Sequence, residues 1–257
     1  MTAPVTAAVP LTTEYAENIN RTFGIRLGGV AYANFDTTVQ VSSETGVGAV
    51  LDLEDFLGID TSHSVVRMDM HYAFNRRHRV DLGYYDINRS GQRNLIDPID
   101  IGDTTFPGGE TITRMRTRIL KLAYRYNFVT EPKTNIGASF GIHTMRIGLD
   151  FTSANGSFDE SVHATAPLPL FGLHGSHSLS ENWALYASGE FFALKLDEFA
   201  GAITDIRLGL DWDVFDHVGL GLEFNTFNMA ADVKSDGLTA DLEYGYGGLG
   251  IYLRGYL

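Results

Sequence analysis

Between Thr111 and Phe151 the chain alternates apolar and polar positions with a period of two. One face of the first run carries Leu120, Leu122, Tyr124, Tyr126 and Phe128, and the other carries Lys121, Ala123, Arg125 and Asn127. After a short polar turn the second run places Ile136, Ala138, Phe140 and Ile142 against Gly137, Ser139, Gly141 and His143. Alternation of this kind puts successive side chains on opposite faces of a β-strand. A strand in a soluble domain is usually about five or six residues long, and these run to roughly twice that or more. Long two-faced strands with an aliphatic side, an aromatic rim and a charged opposite side suit a barrel in lipid with a polar interior.

The same pattern recurs along the chain. Strands are predicted near Phe23–Val41, Ser64–Phe74, Arg79–Arg89, Thr111–Phe128, Asn135–Phe151, His163–Leu179, Trp183–Leu196, Ile203–Val214, Val218–Ala230 and Thr239–Tyr256. Short connections (Asn75–His78, Thr130–Asn135, Ser178–Asn182, Phe215–His217) alternate with mostly longer ones, notably Ser42–Ser62 and Asn94–Glu110. Short periplasmic turns and longer outer loops are the arrangement of outer-membrane barrels. The expected fold is an all-β, transmembrane, antiparallel up-and-down β-barrel of about ten strands over residues 23–257, with eight or twelve as alternatives. An even count puts both termini in the periplasm, and residues 1–22 form an N-terminal periplasmic segment outside the barrel. Hardly any helix is expected.

The alternation assigns faces. Outward positions are Val66, Met68, Met70, Tyr72 and Phe74, then Val80, Leu82 and Tyr84. Later strands offer Ile206, Leu208, Leu210 and Trp212; Val218, Leu220, Leu222 and Phe224; and Leu249, Ile251, Leu253 and Leu257. Phe74, Phe128, Trp183 and Trp212 fall beside the short turns, where an interfacial aromatic girdle belongs. Pro167 and Pro169 cannot donate to a ladder, so they are placed near the outer end of the sixth strand, where pairing lapses.

Composition agrees with this picture. Hydrophobic residues make up 44% of 257, too ordinary for a helical membrane protein, while 28 glycines and 12% aromatics fit crowded strands with girdles. No apolar run approaches the roughly 20 residues of a spanning helix. The absence of cysteine excludes disulfide and thiol chemistry. A net charge of −13 argues against nucleic acid as a partner, because phosphate backbones need a basic surface. Met1–Asn20 lacks the basic and apolar regions of a signal peptide.

The runs Leu51–Asp60 (LDLEDFLGID), Phe74–Gly91 (FNRRHRVDLGYYDINRSG), Gly102–Gly109 (GDTTFPGG) and Leu168–Leu194 (LPLFGLHGSHSLSENWALYASGEFFAL) resemble a family of uncharacterised outer-membrane β-barrel proteins of Gram-negative bacteria. The resemblance covers most of the chain from about Phe23. It implies an integral outer-membrane location, contact with outer-membrane lipid and insertion by the barrel assembly machinery. It supplies no catalytic motif and no protein partner. The terminal Leu257 departs from the aromatic end common among such barrels.

The lumen face collects Arg26, Arg67, Asp69, His71, Arg79, Asp81, Lys121, Arg125, His143, His174, Glu190, Asp205, Arg207, Asp211, Asp213, Glu223 and Arg254. A small barrel fills its interior with side chains, and buried charges must be paired or hydrated. An interior salt-bridge network is expected, with a narrow solute path as the alternative. Two sets invite a hydrolase reading. Asp69 with His71, and Asp211 with Asp213, loosely resemble the acid pair and Asp–His dyad of outer-membrane aspartyl-type proteases, which are also ten-stranded. Both sets lie near the short turns, whereas those proteases cut at the extracellular rim. His174, Ser176 and Glu190 resemble the His–Ser–Glu set of barrel lipid A deacylases, yet all three project into the lumen, away from lipid. No catalytic residue, cofactor or metal site is assigned. The loop acids Glu44, Asp52, Glu54, Asp55, Asp60, Asp97, Asp100, Asp103 and Glu110 match no standard calcium loop and are read as solvated.

The outward face of the first hairpin continues past Leu120 to Arg118, Arg116 and Arg114, and past Thr144 to Arg146. Pairing of Phe128 with Ile136 sets Arg118 directly opposite Arg146. Like charges so placed are destabilising, and arginine in hydrocarbon is costly. About eight to ten residues of tilted strand separate them from the aromatic girdle, roughly the 25 Å of the apolar band. These arginines are therefore expected at the outer headgroups, binding lipopolysaccharide phosphates. The expected function is a non-enzymatic, structural or surface-interaction barrel, with a narrow passive channel as the alternative and a hydrolase behind both.

Overall fold

The computed structural model describes residues 21–43, 50–95, 99–101, 104–106, 109–153, 159–195, 199–235 and 238–257. Its wall is ten long strands: β1 Phe23–Ser43, β2 Ser62–Ala73, β3 His78–Leu95, β4 Gly109–Thr130, β5 Thr134–Ser153, β6 Asp159–Ser178, β7 Trp183–Lys195, β8 Phe199–Phe215, β9 Val218–Ser235 and β10 Leu238–Tyr256. Each pairs antiparallel with its chain neighbours, and β1 closes on β10 from Gly24–Tyr256 to Ser43–Leu238. Closure pairs the first strand with the last and so leaves no free edge between them, an edge that hydrocarbon cannot hydrate.

The alternation sorts side chains as the sequence predicts. Leu122, Phe140, Leu173, Leu208, Leu222 and Ile251 are exposed on the outside, while Ile119, His143, Glu190, Asp205 and Tyr244 are buried within. Beside the short turns Trp183 stacks on Trp212 at 5.6 Å, and Tyr72 meets Phe74 edge-on. An outward row of leucine, isoleucine, valine and aromatics on adjoining strands, left uncovered by the described residues, defines a band for lipid.

Three local departures matter. First, β2 has 12 residues beside 21 in β1 and 18 in β3, so it leaves a notch in the upper wall. The segment before β2 fills it. Val50–Asp52 pairs with β1, the helix α1 (Leu53–Leu57) follows, and Ile59 bridges to Gly91 of β3. Asp52 caps α1 by accepting from the Asp55 N–H at 2.8 Å, the usual role of an aspartate at this position. Gly58 ends it in the left-handed region (φ 66°), where glycine costs least. A Cβ on Gly91 would lie 2.4 Å from the Gly58 carbonyl oxygen, so that close approach requires glycine. Gly91→Val is expected to lift this segment and cost about 1–3 kcal/mol, as overpacking does; urea titration of the barrel in detergent measures it.

Second, Ile136 pairs with Val129 rather than Phe128, because a bulge lies between Asn127 and Val129. Beyond the bulge the predicted register resumes. Third, β6 pairs with β7 only as far as Phe171–Phe191, while its pairing with β5 continues through Pro169 and Pro167. The prolines thus sit where the β7 side of the ladder has lapsed, and their missing N–H groups cost no bond.

The outer half of the lumen is packed with apolar groups. Val30, Phe35, Leu53, Leu57, Tyr85, Ile87, Met115, Ile119, Phe227, Tyr244 and Tyr246 belong to one buried cluster. Phe227 stacks on Tyr246 at 5.5 Å, and Phe35 lies 5.4 Å from the same ring. Alternate residues on five or more strands thus pack the outer half of the barrel's interior.

Candidate functional site: the charged lumen and the outward arginines

Below the aromatic cluster every sequence-predicted lumen residue with described surroundings points inward. Lys121 and Glu190 form a two-oxygen ion pair, with the ammonium 2.6 Å from Oε2. Arg67 bridges Asp69 at 2.6 Å and Glu223 at 3.3 Å, and Tyr186 donates its hydroxyl to Glu223. Arg207 lies 3.7 Å from Asp69 and 3.9 Å from Asp205, which also accepts from Asn225 at 2.7 Å. Nearer the periplasm, Asp211 takes Arg26 at 3.0 Å and Arg254 at 2.8 Å, and it accepts from Tyr252. Asp213 lies 3.5 Å from Arg254. Asp81 is shared by Arg79 at 2.6 Å and Arg125 at 3.1 Å. His143 is buried between Tyr85 and Phe227. Each of these carboxylates has a cation within about 4 Å, which is what burial of charge demands.

The hydrolase sets look different in three dimensions. Asp69 and Asp211 are held by arginines, and His71 packs over Gly24, whose Cβ would come 2.2 Å from the ring. The serine that meets His174 is Ser139, at 2.7 Å from Nε2, and not Ser176. Gly172 makes room for that contact, since a Cβ there would lie 2.5 Å from Ser139 Oγ. Glu190 approaches the same Nε2 at 3.8 Å. A nucleophile–base–acid relay needs the acid on the other ring nitrogen, so the cluster lacks that geometry.

Two charged residues escape the sequence assignment. Glu54 is not a solvated loop acid; it is buried, 2.5 Å from Arg89. Its other oxygen accepts the Thr37 N–H at 2.9 Å, and Arg89 also donates to Thr37 Oγ1 at 2.8 Å and lies 4.3 Å from the Phe35 ring. Arg89 extends the inward series Asp81, Gly83, Tyr85, Ile87, so the period of two carried the signal for it. Glu44, Asp97 and Asp103 lie outside the described residues, as does most of the predicted segment 1–22. Among the described residues no group of side chains is arranged to hold a metal ion.

On the outer surface Arg118 is directly opposite Arg146, as the hairpin pattern predicts. Arg114 and Arg116 continue the row on β4, and Arg114, Arg116 and Arg146 are exposed. Arg116 donates to Asn88 at 2.6 Å, and Arg118 lies 3.7 Å from Asp86. Arg114 and Arg146 have no ion pair among the described residues. Ten residues separate Arg118 from Phe128, roughly 26 Å of height at the rise and tilt of a barrel strand.

Together, closure, the apolar band and the polar interior define an integral transmembrane β-barrel of the outer-membrane class. Among solved structures the chain is similar to the outer membrane protease OmpT of Escherichia coli, with a TM-score of 0.59 and 11% identity over 93% of this chain and 97% of that one. That likeness establishes the ten-stranded fold alone. The translocator domain of the autotransporter NalP from Neisseria meningitidis aligns more weakly, with a TM-score of 0.40 and 11% identity over 92% of this chain and 88% of that one. No protein-family model matches the sequence, and no curated protein does.

Proposed function

We propose that the protein is a non-catalytic outer-membrane barrel that anchors in lipopolysaccharide through Arg114, Arg116, Arg118 and Arg146 and serves as a structural or surface-interaction element. The observation that carries this is the Arg118–Arg146 pair, directly opposed on an outward face above the apolar band. Such a pair is repulsive by itself and gains from an external anion. Guanidinium forks match phosphate oxygens in geometry and charge. The aromatic packing of the outer lumen favours this over a passive channel, and the salt-bridged carboxylates favour it over hydrolysis.

In the test, the wild type and the Arg118→Gln/Arg146→Gln variant are purified alike. Co-purified lipopolysaccharide and the rise in thermal unfolding temperature on adding lipopolysaccharide are then compared. The wild type is expected to retain lipid and gain stability, and the variant to lose most of both. Equal values for the two proteins sink the proposal. In planar bilayers the wild type is expected to show no discrete current steps; regular steps would return the channel reading.

A further inference from the structure

The periplasmic end of the lumen forms a cup of about 110 Å³. Seven cationic side chains line it (Arg21, Arg26, Arg79, Lys121, Arg125, Arg207, Arg254), against three carboxylates, Asp69, Asp81 and Asp211. This is a basic hollow in a chain of net charge −13. Most of its cations are committed: Lys121 to Glu190, Arg207 to Asp69 and Asp205, and Arg26 and Arg254 to Asp211 and Asp213.

The exception is local. Arg79 and Arg125 are direct cross-strand partners of β3 and β4, a second like-charge pair, here facing inward. They share Asp81 alone, and each reaches it through Nε. Their Nη groups have no hydrogen bond or ion pair of their own among the described residues. One carboxylate for two guanidiniums leaves a positive charge and two open donor forks in a partly enclosed space. Ser188, only 9% exposed, also lines the cup and sets a hydroxyl beside the cations. Ser176 and His71 line it as well.

We propose that this cup is a binding site for a small oxyanion of the phosphate class, held by the Nη groups of Arg79 and Arg125 and reached from the periplasm. A tetrahedral anion accepts from both forks at once, which cancels the repulsion between them. The volume suits one such ion with a few waters, each of which takes about 30 Å³, and is too small for a peptide. The site is independent of the outer arginines, and it turns the periplasmic face of a closed barrel into a ligand-binding face.

The test uses the full-length barrel in a nonionic detergent, carrying Arg114→Gln/Arg116→Gln/Arg118→Gln/Arg146→Gln so that the outer cluster contributes nothing. Inorganic phosphate is titrated calorimetrically at constant ionic strength, with chloride and acetate as comparators. One saturable phosphate site is expected, with chloride and acetate weaker. Adding Arg79→Gln/Arg125→Gln should weaken phosphate by at least about ten-fold, the worth of a charge-assisted hydrogen bond. Folding of each variant is checked by its heat-modifiable electrophoretic mobility. Should the double glutamine variant fail to fold, Ser176→Leu keeps every charge and narrows the cup, and it is expected to weaken phosphate while leaving mobility unchanged. Phosphate heats no different from chloride, or binding unaltered in whichever of these cup variants folds, overturn the proposal. Lipopolysaccharide retention by the protein with Arg118 and Arg146 intact is read separately, so the two sites fail or stand apart.

Discussion

Replacing Arg89 by methionine is expected to destabilise the barrel by about 3–5 kcal/mol, the usual consequence of stranding one member of a buried ion pair. Both side chains of the Arg89–Glu54 pair are nearly inaccessible, and they meet at 2.5 Å. Without Arg89, Glu54 keeps only the Thr37 N–H as a donor, inside a cluster of Phe35, Met115 and Tyr244. Methionine replaces the stem, so lost packing is a small part of the cost. Arg89→Met with Glu54→Gln should recover most of it, because glutamine carries no charge yet still accepts from Thr37. Urea titrations of the three proteins in detergent, followed by electrophoretic mobility, give the comparison. A single variant within about 1 kcal/mol of wild type would mean that Glu54 rehydrates and that α1 is only loosely seated. Proteolysis over Asp52–Asp60 reports the same event from outside: the single variant should be nicked there, and the double variant should resist.

That pair also marks where sequence pattern stops being informative. Period-two alternation is a local property, so strands, faces and the opposition of Arg118 and Arg146 are legible without a structure. Pairing Phe128 with Ile136 is one residue off at the turn, yet it gives the observed partners from Asn127–Gly137 onward. The bulge between Asn127 and Val129 absorbs its extra residue on the turn side of everything that follows. Glu54 is different. Its burial depends on β2 being shorter than β1 and β3, and on two glycines, Gly58 and Gly91, that let α1 enter the notch. Within LDLEDFLGID the Asp52 and Gly58 caps and the apolar Leu53, Leu57 and Ile59 signal a packed helical turn, but nothing there marks Glu54 as the acid that is buried.

The serine beside His174 shows the same limit. Ser176 is two residues away on the same strand and faces the same way, yet cross-strand geometry brings Ser139 to the imidazole across the gap left by Gly172. Contacts inside a barrel follow register and side-chain absence, neither of which lies in a residue's own neighbourhood.

Leu222→Arg is expected to cost about 2–4 kcal/mol in lipid bilayers, and Thr226→Arg no more than about 1 kcal/mol. Leu222 is 60% exposed, flanked on its neighbouring strands by Leu210 and Ile251. Thr226 points the same way two positions beyond Phe224. An arginine at Leu222 must leave its hydration in the hydrocarbon or thin the bilayer around it, whereas at Thr226 it reaches the headgroups. In a soluble barrel both sites are simple surface positions, and each substitution would fall within roughly 0.5 kcal/mol. Equilibrium unfolding from lipid vesicles therefore separates the alternatives by the difference between two variants, which cancels common effects on the unfolded chain. A difference near zero would remove the apolar band, and with it the placement of Arg118 and Arg146 at a headgroup. A difference of about 2 kcal/mol or more would locate the outer hydrocarbon boundary between Leu222 and Thr226 on β9 and show that the outward row of β9 meets lipid.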